Sequence, residues 1–157
     1  MISKNRNGGK MKKKRKWILA GIFCLLFTLA YMIFGNPLVI LNNHRLQREV
    51  TAVSSEHVLL NEVVPFKWDT LYSFEPYASE DQIEEIIGFK SRSIKETVSE
   101  GMVQLLFVRD NKVVSSVLGY ESALGYSINF TGKIKYIDNT VFSAERNADM
   151  VILTHEK

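Results

Sequence analysis

A length of 157 residues allows one domain of modest size. The single cysteine, Cys24, excludes a disulfide framework, so the chain beyond it is held by packing alone. Charge is divided unevenly: residues 1–16 contain Lys4, Arg6, Lys10, Lys12, Lys13, Lys14, Arg15 and Lys16 and no acid, so the chain's +3 less this +8 leaves −5 on residues 17–157.

Directly behind the basic block, residues 17–34 (WILAGIFCLLFTLAYMIF) carry no charge, and the next charge after Lys16 is Arg45. Such a run approaches the ~20 residues that a membrane-spanning helix needs, and it lacks the polar stripe of a soluble core helix. A cleaved secretory signal has a shorter apolar region, about 7–15 residues, ending on small residues. The nearest such site, Thr28-Leu29-Ala30, is followed by Tyr31-Met32-Ile33-Phe34, and Phe23 precedes Cys24 where lipoprotein processing wants a small residue. The expectation is a transmembrane signal anchor over residues 17–35, in contact with the lipid bilayer. The positive-inside rule makes residues 1–16 a cytoplasmic basic tail and the remainder extracytoplasmic, on a single-pass protein of the cell membrane. The tail then serves topology, and no nucleic-acid partner is expected.

After Gly35, Asn36 suits a helix N-cap and Pro37 its first turn. Val39, Leu46, Val50 and Val53 recur at helical spacing, so residues 36–57 are expected to form a juxtamembrane helix or stalk. Residues 58–157 are expected to be an extracytoplasmic α+β domain with a mostly antiparallel sheet and one or two short helices. Phe66, Trp68, Thr70, Tyr72 and Phe74 alternate with polar residues and predict a strand with an aromatic face, ended by Pro76. Ser79 and Gln82 form a capping box for a helix with Ile83, Ile86 and Ile87 on its buried side, closed by Gly88 and Phe89. Met102–Val108 and Val113–Leu118 read as a hairpin about Arg109-Asp110-Asn111-Lys112. Further strands are predicted over 126–130, 133–137, 141–146 and 150–154, separated by Gly132, Asp138-Asn139 and Asn147-Ala148-Asp149.

Catalytic patterns are weak. His44, His57 and His155 have no metal-ligand spacing, no serine sits in a G-x-S-x-G elbow, and the acids Glu75, Glu80, Asp81, Glu84 and Glu85 lack a calcium-loop pattern. Acids in a first helical turn follow from the helix dipole. No catalytic residue, metal or cofactor is assigned. The aromatic run supplies the candidate partner-contacting residues Asp69, Tyr77, Trp68 and Tyr72, since Trp and Tyr dominate interface hot spots. Such rings are equally the main payload of a small core, and the core is the favoured place for Trp68, Tyr72 and Phe74; Asp69 and Tyr77 are better placed for contact.

PFKWDTLYSFEPY, then SEDQIEEIIGF and MVQLLFVRDNKVVSSV, resembles a family of small, uncharacterised bacterial membrane-anchored or secreted proteins sharing a W-D-x-x-Y-x-F-x-P-Y segment before a short helix ending in Gly. The resemblance covers residues 64–118 and implies no activity. The helix, Gly and strand-turn-strand order is also similar to envelope modules related to beta-lactamase inhibitor protein, which are binders, although here a strand precedes the helix. The leading expectation is a non-enzymatic envelope protein that binds another protein or a wall component. Alternatives are a hydrolase whose carboxylates meet on folding, such as Asp69 with Glu75 or Asp138, and a membrane-anchored immunity protein against a secreted toxin.

Overall fold

The computed structural model describes residues 7–148 and 150–156, with side chains for 15–29, 35–148 and 150–156. The chain divides into two compact units, Met1–Gly35 and Asn36–Lys157. The first is a single helix, α1 (Asn7–Phe34), which takes its first turns from the basic block. Among the described residues no helix is long and apolar enough to cross a membrane. This corrects the transmembrane anchor expected over residues 17–35, and with it the membrane and single-pass reading. Residues 1–6 of the expected tail, and Asp149 of the last expected turn, lie outside the described residues.

The second unit is α+β, with two sheets where the sequence predicted one. It opens with α2 (Pro37–Thr51), whose N-cap Asn36 accepts a hydrogen bond from the Leu38 N–H at 3.0 Å. Then follow β1 (His57–Leu59), α3 (Leu60–Val63), β2 (Thr70–Ser73), α4 (Glu80–Ile87), β3 (Met102–Arg109), β4 (Lys112–Tyr120), α5 (Glu121–Leu124), β5 (Tyr126–Asn129), β6 (Lys133–Lys135), a 3-10 turn (Tyr136–Asp138), β7 (Val141–Asn147) and β8 (Met150–His155). One sheet has the order β1-β7-β8-β5 and the other β4-β3-β2-β6. All pairs are antiparallel except β5 with β8.

The main core lies between the sheets. Leu71, Leu105, Phe107, Val117 and Ile134 from one meet Tyr126, Ile128, Phe142, Val151 and Leu153 from the other, with Leu46 and Val50 of α2 closing the side. Leu46 and Val50 are fully buried, so the expected stalk helix is part of the packed body. The opposite face of β3 turns Leu106 into a second core beside Phe74, Ile83, Ile87, Ile94 and Val113. Here α4 packs, and its ends are those the sequence predicts. Ser79 Oγ accepts from the Gln82 N–H, Gln82 Oε1 accepts from the Ser79 N–H, and Gly88 takes the left-handed conformation at φ 83°.

Strand β4 is an edge, and an edge leaves a row of backbone groups without strand partners. Three amide side chains of α2 occupy them and their continuation. Asn42 Nδ2 donates to Val114 O at 2.8 Å, Asn43 Nδ2 to Ser116 O at 2.7 Å, and Gln47 Nε2 to Leu124 O at 2.9 Å. Asn43 Oδ1 accepts from the Ser116 N–H and from Ser115 Oγ. Val114 is the residue that the register skips between the Phe107–Ser115 and Val108–Val113 pairs, so Asn42 satisfies the carbonyl of a β-bulge.

Two predictions follow from this packing. Asn43→Ala leaves the Ser116 N–H and C=O without these partners, and unfolding by urea should show a loss of about 1–3 kcal/mol. Burial pushes the Tyr126 phenol well above its ordinary value. The proton is held more tightly in the folded chain, so this stabilisation is complete below pH ~10 and falls as pH rises further, by up to ~1.4 kcal/mol per pH unit. Melting temperatures across pH 9–12 should therefore fall less steeply for Tyr126→Phe than for the native chain.

Candidate ligand-binding cleft

The chain from Val64 to Asp69 is irregular, because β2 begins only at Thr70. The alternation from Phe66 to Phe74 is therefore not one strand face. Trp68 enters the main core, whereas Tyr72 stacks on Phe74 (centroids 6.0 Å apart, 12° between planes) on the α4 side. The backbone of Asp69 extends the strand pairing at its end. Its N–H donates to Val108 O and its C=O accepts from the Tyr136 N–H, each at 2.8 Å. The β3–β4 turn is fixed to the same point, since Asp69 Oδ2 accepts from the Asp110 N–H at 2.8 Å. Asp110 and Asn111 both have positive φ, 49° and 55°, as a two-residue type I′ hairpin turn requires.

Between these segments lies a cleft of ≈ 470 Å³ lined by Asn61, Val64, Pro65, Phe66, Lys67, Trp68, Asp69, Arg109 and Tyr136. Its volume falls in the range of about 300–1,000 Å³ used by small-ligand sites. The aromatic wall is rigid: Trp68 packs edge-on against Tyr136 at 5.4 Å and Phe107 at 5.8 Å, and Phe66 edge-on against Phe107 at 5.3 Å. Arg109 Nε lies 3.4 Å from Asp110 Oδ2, and Lys67 has no ion-pair partner among the described residues.

Among the described residues three buried side-chain atoms lack a hydrogen-bond partner, and two of them belong to residues lining this cleft: Trp68 Nε1 and Asn61 Oδ1. Trp68 is 3 % exposed. The orientation of the Asn61 amide follows from its neighbours. Its nitrogen must face the Tyr136 carbonyl at 2.7 Å, with Asn139 Oδ1 at 2.8 Å, so its oxygen is the unpaired atom. Both atoms are closed off from solvent.

Of the sequence candidates, Trp68 and Asp69 meet in this cleft; Tyr72 and Tyr77 do not line it. Tyr77 is exposed, holds φ at 68°, and donates its N–H to Thr97 Oγ1 at 2.6 Å. Asp69 and Glu75 line separate clefts, the second of ≈ 660 Å³ between the sheet ends with Glu121, Asn129 and His155. Asp138 lines neither and accepts from the Lys135 N–H at 2.9 Å. Sequence reasoning missed Asn61, Arg109 and Tyr136, since no spacing links a helical Asn, a turn Arg and a residue expected in a strand. Comparison of the chain with protein-family models, with curated proteins and with solved structures finds no match.

The left-handed conformation costs an L-residue about 1–2 kcal/mol, and the exposed Tyr77 ring gains little packing to offset it. Part of that cost returns as glycine's lost chain entropy. Tyr77→Gly should raise stability by about 0.5–1 kcal/mol in urea unfolding.

Proposed function

We propose that this chain is a non-catalytic binding module and that the Trp68 cleft holds part of its partner, a protein or a wall component. The reading rests on the aromatic cleft itself, in which Phe66, Trp68 and Tyr136 stand beside Lys67 and Arg109. The surroundings agree with such a role. Trp68, Tyr136 and Arg109 are the three residue types most enriched at binding hot spots. The hydrolase alternative gains nothing comparable, because Asp69, Glu75 and Asp138 share no cleft.

Crosslinking of the tagged full-length chain in cells, beside an Arg109→Glu/Tyr136→Ala double variant, tests the reading. Both side chains are partly exposed, and because Tyr136 packs edge-on against Trp68 the melting temperature of the variant is measured beside the recovery, which separates lost binding from lost folding. One partner recovered by the native chain should be lost at least tenfold by the variant, a loss of ~1.4 kcal/mol or more. Equal recovery would place the interface elsewhere and end this assignment.

A further inference from the structure

We propose that a second surface, beside the N-terminal end of α4, docks a basic segment of a partner polypeptide. It stands apart from the Trp68 cleft, which none of its residues lines.

Three exposed side chains form its centre: Tyr77 is 59 % exposed, Val98 77 % and Tyr120 46 %. They come from three separate segments, and the stretch that joins α4 to β3 ties them together. Thr97 Oγ1 accepts from the Tyr77 N–H at 2.6 Å, and Ser99 Oγ accepts from the Tyr120 hydroxyl at 2.8 Å. Val98 stands in the chain between those two anchors. An exposed apolar residue standing singly is ordinary, whereas a group of them rimmed by polar residues marks an interaction site, and tyrosine is enriched at binding hot spots. The backbone adds to this. Tyr77 holds a left-handed φ of 68° that glycine adopts at no steric cost, and its exposed ring returns little packing to the fold. The chain thus keeps a ring at the surface against its own stability.

Charge identifies the occupant. Residues 75–81, 95–100 and 119–122, which carry the three side chains, contain six acids, Glu75, Glu80, Asp81, Glu96, Glu100 and Glu121, and one base, Lys95. Among the described residues none of the six acids stands in an ion pair. Glu96 is held at the head of α4, where its Oε1 accepts from the Glu80 N–H at 3.1 Å. The ≈ 660 Å³ cleft that shares Glu75 and Glu121 with this rim is lined by no lysine or arginine, so the negative field continues beyond the patch. Such a field repels a nucleic acid or an anionic lipid surface. Lysine and arginine side chains fit it twice over: their stems cover apolar surface and their cations sit over tyrosine faces, while the rim supplies carboxylates of the opposite sign.

The test is the fluorescence anisotropy of a dye-labelled pentapeptide, Lys-Lys-Leu-Lys-Lys carboxamide, titrated with the full-length chain beside the same peptide with glutamine in place of every lysine. The lysine peptide should bind about tenfold tighter than the glutamine peptide in ~50 mM salt and lose that advantage in ~500 mM salt. Tyr77→Gly should melt at or above the native chain and yet bind the lysine peptide about tenfold more weakly, a combination that a purely structural ring does not give. Glu80→Gln with Glu96→Gln keeps the Oε1 acceptor at residue 96; it should weaken the lysine peptide and leave the glutamine peptide unchanged. Undiminished binding of the lysine peptide by both Tyr77→Gly and Val98→Ser would show diffuse attraction to the chain's acids and overturn the docking surface. Equal affinity of the two peptides, or no binding of either at millimolar concentration, would overturn the basic partner. The Trp68 cleft is judged separately, by the crosslinking comparison.

Discussion

The exposed edge of β4 is the constraint on which the second unit depends. A strand edge must be paired, covered or blunted, or it becomes a template for another chain. The other free edges are short, with three residues each in β1 and β6 and four in β5. Strand β4 is nine residues long and cannot be blunted by brevity. Helix α2 meets the need with side chains, Asn42 and Asn43 donating to alternate carbonyls of the strand and Gln47 to Leu124 just beyond it. Those contacts fix the helix in rotation and along its axis. Its other buried positions, Leu46 and Val50, then enter the core between the sheets, and Val39 enters the core beneath α4.

With the edge closed, β3 can be central and buried on both faces. Leu105 and Phe107 face the other sheet, while Leu106 faces α4. This gives three layers and explains where the cleft lies. Phe107 holds the rings of Trp68 and Phe66 edge-on, and the chain leaves β3 at Arg109 into a turn that is tied back to Asp69. The cleft is therefore walled by a fixed turn, a rigid aromatic cluster and the 3-10 turn after β6. Little conformational freedom remains to be lost there when a ligand enters, which favours affinity through preorganisation.

What the sequence made legible was local. The capping box at Ser79 and Gln82, the closing Gly88 and the Asp110-Asn111 turn are each set by a few neighbouring residues. The α+β composition followed from the same signals. The alternation across 66–74 misled because a period of two continues through an irregular segment as readily as through a strand; Trp68 and Tyr72 consequently lie in different cores. The number of sheets was hidden for another reason. Pairing β1 with β7, or β5 in parallel with β8, joins segments far apart in sequence, and no local pattern records the choice. One non-local feature did leave a trace. Adjacent asparagines at 42 and 43 are poor helix formers in the middle of α2, and that local conflict marks residues held for tertiary contacts.

The same logic applies to the unpaired atoms. Polar conflicts that are resolved within the fold, such as Asn42 and Asn43, explain themselves by their hydrogen bonds. Gln104 is resolved by half, its Nε2 donating to Lys95 O at 2.6 Å while its Oε1 has no partner among the described residues, and Asn61 is resolved by half in the same way. The Asn61 oxygen and the Trp68 indole nitrogen are likewise buried without partners, on two residues that line one cleft. A sequence that is otherwise locally consistent departs from consistency at a few positions, and among the described residues Asn61, Trp68 and Gln104 are those positions.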